Sequence, residues 1–127
     1  MRVAIVGSRN YSNPAQVAEY VMSLPSDTVV ISGAAPGVDS WALHVADAIG
    51  LKWEAYPANW EAFGRSAGPI RNAVMVAKSE RAMAFWDHKS SGTRDFQRKA
   101  QKAGLSCQIA PRYDEVYAQG VAWLNSL

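Results

Sequence analysis

Three short loops rich in glycine and serine are the segments of this sequence best suited to binding chemistry. Residues 7–9 read Gly-Ser-Arg, residues 32–39 contain Gly33 and Gly37, and residues 90–93 read Ser-Ser-Gly-Thr. Glycine lets a backbone approach a ligand closely. A helix that begins after such a loop points free N–H groups at whatever lies in front of it, and phosphate is the usual occupant. The three loops together predict a site for a phosphorylated ligand.

Polar and charged residues in and beside these loops each have two interpretations. Asp39 is expected either to satisfy N–H groups at its own helix start or to bind a ribose hydroxyl. The hydroxyls of residues 90–93 suit a phosphate or an ordinary helix cap. Arg9 and Arg71 are anion clamps or surface arginines. Asn72 reads a base or sugar edge, or caps the turn.

Two tryptophans are predicted to border the same crevice. Trp60 and Trp86 either stack on a base or pack into the core, which is the commoner fate of tryptophan. His44 and His88 have no partner at metal-ligand spacing, so we predict no metal site and no cofactor. The residues also define no catalytic triad, and we assign no catalytic residue.

The elements that position these loops alternate regularly between strand and helix patterns. The stretch 57–68, which contains Trp60, is predicted to be a long irregular loop of the kind that is often functional. Strands are predicted over residues 3–6, 28–32, 52–56, 81–86 and 106–109, and helices over residues 14–24, 38–49, 69–78, 93–103 and 114–124.

One predicted helix has a face assignment that matters for the site. In the helix over residues 69–78, the apolar spacing puts one set of side chains on the core and the polar set on the other face. The predicted core set is Ile70, Ala73, Val74 and Ala77, and the opposite face carries Arg71, Asn72 and Met75.

This alternation predicts an α/β fold. We expect a single Rossmann-like three-layer domain over residues 1–127, with about five parallel strands and helices on both faces. Ligands in such sheets bind outside the carboxyl ends of the strands. Because every glycine loop follows a strand, the loops should gather at that edge around one crevice.

The composition argues against a nucleic-acid partner and a membrane. The net charge of the 127 residues is +2, and the basic residues are scattered. The densest basic group, on the helix over residues 93–103, is interpreted as a solvated face, with a small anion-attracting patch as the alternative. Its members are Arg94, Arg98, Lys99 and Lys102.

The lone cysteine and the amino terminus bear on the compartment. Cys107 excludes an internal disulfide and is predicted to be a buried structural thiol, which fits a reducing compartment. The sequence has no signal peptide and no apolar run long enough to span a bilayer. We therefore predict a cytoplasmic protein.

Five sequence blocks in order resemble a known superfamily. They occupy residues 6–9, 32–39, 57–60, 67–75 and 85–95, and they resemble the SLOG superfamily of Rossmann-like domains, specifically its YspA/YpsA-related branch, over residues 3 to about 103. The superfamily includes LOG-type phosphoribohydrolases, DprA-type DNA-processing proteins and nucleotide sensors. The resemblance implies a nucleotide-derived ligand contacted by Gly7, Ser8, Arg9, Gly33, Gly37, Asp39, Arg71, Asn72, Ser91, Gly92 and Thr93.

The sequence departs from the LOG-type enzymes at their catalytic glutamate. Their motif is Pro-Gly-Gly-x-Gly-Thr-x-x-Glu, and Phe96 occupies the glutamate position here. Asp95 is one residue early, which turns a helical side chain by about 100°, so it is expected to point away from the crevice.

We therefore predict a binding or sensing module for a nucleoside phosphate or an ADP-ribose-like ligand. The alternative is a phosphoribohydrolase-type enzyme that cleaves an N-glycosidic bond. DprA-like binding of single-stranded DNA is disfavoured by the weak net charge. A homodimer is expected, formed near Arg71 or Trp60 and using the apolar side chains of Met75, Tyr117 and Trp123.

Overall fold

Five short strands and five helices alternate along the described part of the chain. The structure is a computed structural model that describes residues 1–111 and 125–126. The elements are β1 (Arg2–Gly7), α1 (Pro14–Met22), β2 (Val29–Ser32), α2 (Val38–Ala48), β3 (Lys52–Ala55), α3 (Trp60–Phe63), α4 (Ala67–Lys78), β4 (Arg81–Phe85), α5 (Ser91–Ala103) and β5 (Cys107–Ile109), with a 3-10 turn over Gly64–Ser66 between α3 and α4.

All the strands pair in parallel in one sheet of order β3-β2-β1-β4-β5. The chain moves outward from β1 to β3 and then returns to place β4 on the other side of β1. The register pairs Gly7 with Phe85, so β1 and β4 end side by side. This reversal creates a switch point, where ligands of open α/β sheets bind. The predicted α/β fold class is confirmed.

Alternate side chains of the three central strands, β1, β2 and β4, pack into two cores, one on each face of the sheet. Val3 and Ile5 of β1 pack with α1 and α2 in one cluster, together with Phe85. Ala4 and Val6 pack with α4 and α5 in the other cluster. The sheet is therefore the middle of three layers, and the loops at its carboxyl edge are held by both cores.

The segment predicted as a long irregular loop contains a short helix and a turn. The side chain of Asn59 accepts a hydrogen bond from the N–H of Ala62 at 3.1 Å and so caps α3. After the 3-10 turn, α4 begins at Ala67, two residues before the predicted start at Pro69. This geometry holds Trp60 at a defined position beside the sheet edge.

The predicted core face of α4 is wrong. Met75 is fully buried and Asn72 is nearly so, whereas Ile70 and Val74 are 43% and 40% exposed. Two sets of residues on this helix have the spacing of a buried stripe: the predicted set, and one that runs through Asn72, Met75 and Val76. Periodicity alone could not choose between them, and the packing of α4 against α5 and the sheet buries the second.

Several other predictions fall near the carboxyl end. Cys107 is half-buried rather than fully buried, and burial raises the pKa of its thiol. The predicted helix over residues 114–124, with Tyr117 and Trp123, lies outside the described residues. Within residues 1–111 and 125–126, no helix is long and apolar enough to cross a membrane.

Candidate functional site

A cavity of about 520 Å³ opens at the carboxyl edge of the sheet, between the loops after β1, β2 and β4 and the start of α4. Most of the predicted site residues line its wall, namely Gly7, Arg9, Asp39, Arg71, Asn72, Ser91, Gly92 and Thr93. Ser8, Gly33 and Gly37 lie behind the wall. The structure therefore brings together three loops that are far apart in the sequence.

Ser8 fastens the ends of β1 and β4 to each other. Its backbone N–H donates to the carbonyl of Phe85 at 3.0 Å, and its buried hydroxyl oxygen accepts from the N–H of Asp87 at 2.9 Å. These bonds fix the position of the loop that leads into α5. The described contacts of Ser8 are thus with the scaffold of the cavity.

Two glycines beside the cavity allow a close approach of neighbouring groups, and Gly37 also has a backbone conformation that other residues rarely adopt. Gly37 has φ of 89° and ψ of −131°, a conformation that is essentially confined to glycine, and a Cβ there would lie 2.4 Å from the carbonyl oxygen of Arg9. A Cβ on Gly33 would lie 2.2 Å from Nη1 of Arg71. These glycines let the β2–α2 loop close against Arg9 on one side and Arg71 on the other.

Arg71 ties α4 to the ends of β2 and β3. Its Nη1 donates to the carbonyl of Gly33 at 2.8 Å and reaches that of Tyr56 at 3.5 Å, and its Nε donates to Oδ1 of Asn72 at 3.1 Å. The guanidinium group lies in the cavity wall with part of its donor capacity already used. Arg71 therefore has a structural role in the cavity wall, in contrast to a surface arginine.

Asn72 connects α4 to α5 through its side-chain amide. Nδ2 donates to the carbonyl of Gly92 at 3.1 Å and to Oδ2 of Asp95 at 3.0 Å. An amide nitrogen has two N–H donors, and both are used here. The buried Asn72 therefore holds the start of α5 in place and has no donor left with which to read a base.

Asp39 is a buried carboxylate in the first turn of α2. Only 6% of the residue is exposed, and its Oδ2 accepts from the N–H of Ala35 at 3.4 Å. Burial raises the pKa of Asp39 to about 6, although the charge of Arg71 and the backbone N–H groups of Ala35 and Gly33 oppose the shift. The carboxylate thus supports the β2–α2 loop and faces Arg71.

The β4–α5 loop presents a helix N-terminus to the cavity. The hydroxyl of Ser90 caps α5 by accepting from the N–H of Thr93 at 3.5 Å. Oδ1 of Asp87 accepts from the N–H groups of Lys89 and Ser90, both at 2.8 Å. Burial opposes a low pKa for Asp87, but these bonds outweigh it and lower the pKa. The loop is therefore rigid where it meets the cavity.

The first N–H groups of α5 suit an anion. Ser91 and Gly92 are exposed, line the cavity and stand at the first two helical positions, where an N–H group has no acceptor within the helix. A Cβ on Gly92 would meet nothing within 4 Å, so the backbone here is open to an approaching group.

Asp95 does not point away from the cavity, contrary to the prediction. It lines the wall, where Oδ2 accepts from Asn72 and Oδ1 pairs with Nζ of Lys99 at 2.5 Å. Burial opposes a low pKa, but the bonds from Lys99 and Asn72 outweigh it and lower the pKa of Asp95. This carboxyl group is paired and ionised, which does not suit a general acid.

The rim of the cavity carries an exposed aromatic ring and two exposed cations. Trp60 is 59% exposed, and Arg9 and Arg65 are also exposed. Trp86 does not line the cavity, because its indole N–H donates to the carbonyl of Ser90 at 3.0 Å on the outer side of the loop. Arg65 lines the cavity but is not among the site residues predicted from the sequence, although it lies in the same 57–68 segment as Trp60.

Comparison with known proteins gives a relative by sequence and several by fold. No family model matches the chain. The chain is 36% identical over 114 residues to the Gene 61 protein of Mycobacterium phage D29. The aligned region covers 82% of this chain and 91% of that protein.

Two of the similar solved structures are of DNA processing protein A (DprA). The protein from Streptococcus pneumoniae superposes with a TM-score of 0.77 at 20% identity, over 87% of this chain and 50% of that one. The protein from Helicobacter pylori, described for its single-stranded DNA binding mode, superposes with a TM-score of 0.61 at 19% identity, over 94% of this chain and 73% of that one. This chain thus spans half the length of the Streptococcus protein, and at these identities the likeness establishes the fold alone.

These findings correct two sequence-based predictions. The prediction of a module for a nucleotide-derived ligand is wrong, and so is its phosphoribohydrolase alternative. The prediction that nucleic acid is an unlikely partner is wrong as well. The finding that overturns them is that the structural neighbours are DNA-processing proteins, one of which is described as binding single-stranded DNA. These predictions are wrong because the net charge of the whole chain does not show where the charged side chains lie in the fold. Arg9, Arg65 and Arg71 come from three separate segments and meet at one cavity. The resemblance to the SLOG superfamily holds as a Rossmann-like fold shared with DprA.

Proposed function

This chain belongs to the family of the mycobacteriophage D29 Gene 61 protein. From its DprA-like fold and the residues around its cavity, we propose that it binds single-stranded DNA at the carboxyl edge of its sheet. The observation that carries the proposal is the joint presence of exposed Trp60, two exposed arginines and an open helix N-terminus around one cavity. Proteins that bind single strands without sequence preference combine aromatic stacking surfaces with a positively charged groove.

In this proposal, the N-terminus of α5 and the rim arginines bind the phosphate backbone of the strand. The N–H groups of Ser91 and Gly92 and the partial positive charge of the α5 start favour a phosphate oxygen. Arg9 and Arg65 are exposed at the rim, where a long cationic side chain reaches a second phosphate. In this arrangement, Gly7, Ser8, Gly33, Gly37, Asp39, Arg71, Asn72 and Thr93 shape and hold the cavity.

In this proposal, the bases of the strand stack on Trp60. Most of its indole is exposed, and it stands at the mouth of the cavity beside α4. Every base has a π-face, so stacking on this ring needs no particular sequence. We therefore propose binding with little sequence preference.

Trp60→Ala tests the proposal with little risk to the fold, because the side chain is largely exposed. Loss of one stacking contact is expected to weaken the binding of a fluorescent oligothymidylate by about 5- to 100-fold, equivalent to about 1–3 kcal/mol. Fluorescence anisotropy at constant ionic strength measures the affinity.

Trp53→Ala is the matched control. Trp53 is also an exposed tryptophan, but its indole N–H donates to Asp47 on α2, away from the cavity. This variant should bind as the wild type does. Equal affinities of the wild type and Trp60→Ala would refute stacking of the bases on Trp60. A wild-type protein that binds no oligonucleotide would refute the proposed function.

Three finer points complete the proposal. We place the protein in the cytoplasm, as one domain of the YspA/YpsA-related branch. The homodimer also stays a prediction, near Arg71 or Trp60, but without Met75, which is fully buried. Its other predicted contact residues, Tyr117 and Trp123, lie outside the described residues. Light scattering at high micromolar concentration distinguishes a dimer from a monomer.

A further inference from the structure

A second aromatic and cationic cluster stands outside the cavity, on the far side of the β4–α5 loop. The ring centroids of Trp86 and His88 are 4.6 Å apart with the planes tilted by 37°, and the guanidinium carbon of Arg94 lies 5.7 Å from the centroid of the Trp86 ring. We propose that this outer stack, formed by Trp86, His88 and Arg94, is a second contact for single-stranded DNA, over which the strand leaves the cavity. This inference rests on the proposed function.

The outer stack is joined directly to the cavity through one residue. The indole N–H of Trp86 donates to the carbonyl of Ser90 at 3.0 Å, and the backbone N–H of Arg94 donates to the same carbonyl at 3.3 Å. Ser90 itself lines the cavity. A strand with a phosphate at the start of α5 therefore needs to cross only this loop to reach the Trp86 and His88 rings.

The loop holds His88 outward in a conformation that a non-glycine residue seldom adopts. His88 has φ of 64° and is exposed. The bonds from Lys89 and Ser90 to the Asp87 carboxylate fix the loop on both sides of that bend. The surrounding structure thus maintains an otherwise unfavourable backbone, as it does at many binding sites, and the result is a ring presented to solvent against a second ring.

Positive charge continues beyond the outer stack along α5. Arg94, Arg98 and Lys102 recur every fourth residue and are all exposed, so they form one stripe along the helix. The stripe extends about 12 Å along the helix axis. Phosphates of a strand that passes over Trp86 and His88 would meet these side chains in succession, which a ligand confined to the cavity could not do.

The test compares a short and a long oligothymidylate, of about three and about twelve nucleotides, because a short strand that occupies the cavity has little length left to cross the β4–α5 loop. Arg94→Ala places a good helix former at an exposed helical position. His88→Gly removes the ring and accepts the positive φ. Lys52→Ala is the charge control, because Lys52 is exposed at the amino end of β3, on the opposite edge of the sheet.

We expect Arg94→Ala and His88→Gly each to weaken binding of the long strand by roughly 5-fold or more, with the short strand and the control unaffected. The ratio of variant to wild type at each length cancels the statistical advantage of a longer strand. Variants that bind both lengths as the wild type does would overturn the inference, and variants that weaken both lengths equally would place their effect inside the cavity and overturn it too.

The outer stack and the proposed function are distinguished by different results. If the outer stack is not a DNA contact, Trp60→Ala still weakens both lengths, and the proposed function stands. If the wild type binds neither strand, both the function and the outer stack fall. Tighter binding of a matched oligouridylate than of the long oligothymidylate would assign the surface to RNA and overturn the choice of DNA.

Discussion

Replacing Gly37 with alanine is expected to lower the free energy of unfolding by about 2–4 kcal/mol. The φ of 89° and ψ of −131° belong to a region that is essentially reserved for glycine, and the added Cβ would lie 2.4 Å from the carbonyl oxygen and 2.8 Å from the Cα of Arg9. Neither obstacle is the end of a flexible side chain, so the backbone of one loop must move. Urea unfolding monitored by circular dichroism measures the loss.

Gly92→Ala is the matched control for that prediction. Gly92 is another glycine of the cavity, but it lies within α5, and a Cβ there would meet nothing within 4 Å. Alanine has the higher helix propensity, by up to about 1 kcal/mol, so this variant should be as stable as the wild type or slightly more stable. Equal stability of the two variants would contradict the closeness of the β2–α2 loop to Arg9.

Asp39→Asn is expected to stabilise the protein at pH 7 by up to about 3 kcal/mol. Burial raises the pKa of Asp39 from 3.8 to about 6 in the folded protein, so the folded state binds this proton more tightly than the unfolded state does. The stability contributed by the protonated group is complete below pH 3.8 and is lost as the pH rises through about 6. Asparagine removes that loss and retains an oxygen that can accept from Ala35.

The pH profile separates this effect from a general change in stability. The wild type should lose stability relative to Asp39→Asn between about pH 4 and pH 6, with the gap constant above that window. Asp27→Asn is the control for net charge, because it removes the same charge at an exposed position. Parallel stability profiles for Asp39→Asn and the wild type would refute the raised pKa of the buried Asp39 carboxylate.

The sequence was sufficient to predict the sheet and the edge where the site lies. Short apolar runs followed by glycine loops define strands whose carboxyl ends must meet, and the structure brings Arg9, Asp39 and Gly92 together as that rule requires. The face of α4 could not be predicted, because two sets of residues on that helix share the same spacing. Only the packing of Met75 against the sheet decides between them.

The functional class could not be predicted from whole-chain properties. A net charge of +2 counts every side chain equally, although Glu54 pairs with Arg2 and Asp95 pairs with Lys99. The exposed Arg9 and Arg65 gather beside Trp60 only after the chain folds. Placement of charge is a three-dimensional property, and a cluster of two or three arginines around one cavity leaves little trace in the sum.

Photo-crosslinking tests the central claim most directly, because it reports where the strand lies as well as whether it binds. An oligonucleotide with bromodeoxyuridine in place of thymidine is irradiated with the full chain, and mass spectrometry locates the adducts. We expect adducts at Trp60, on the rim of the cavity. Adducts confined to Trp41, which lies on α2, or to Trp53, whose indole N–H donates to α2, would contradict the proposed site, because neither residue lines the cavity.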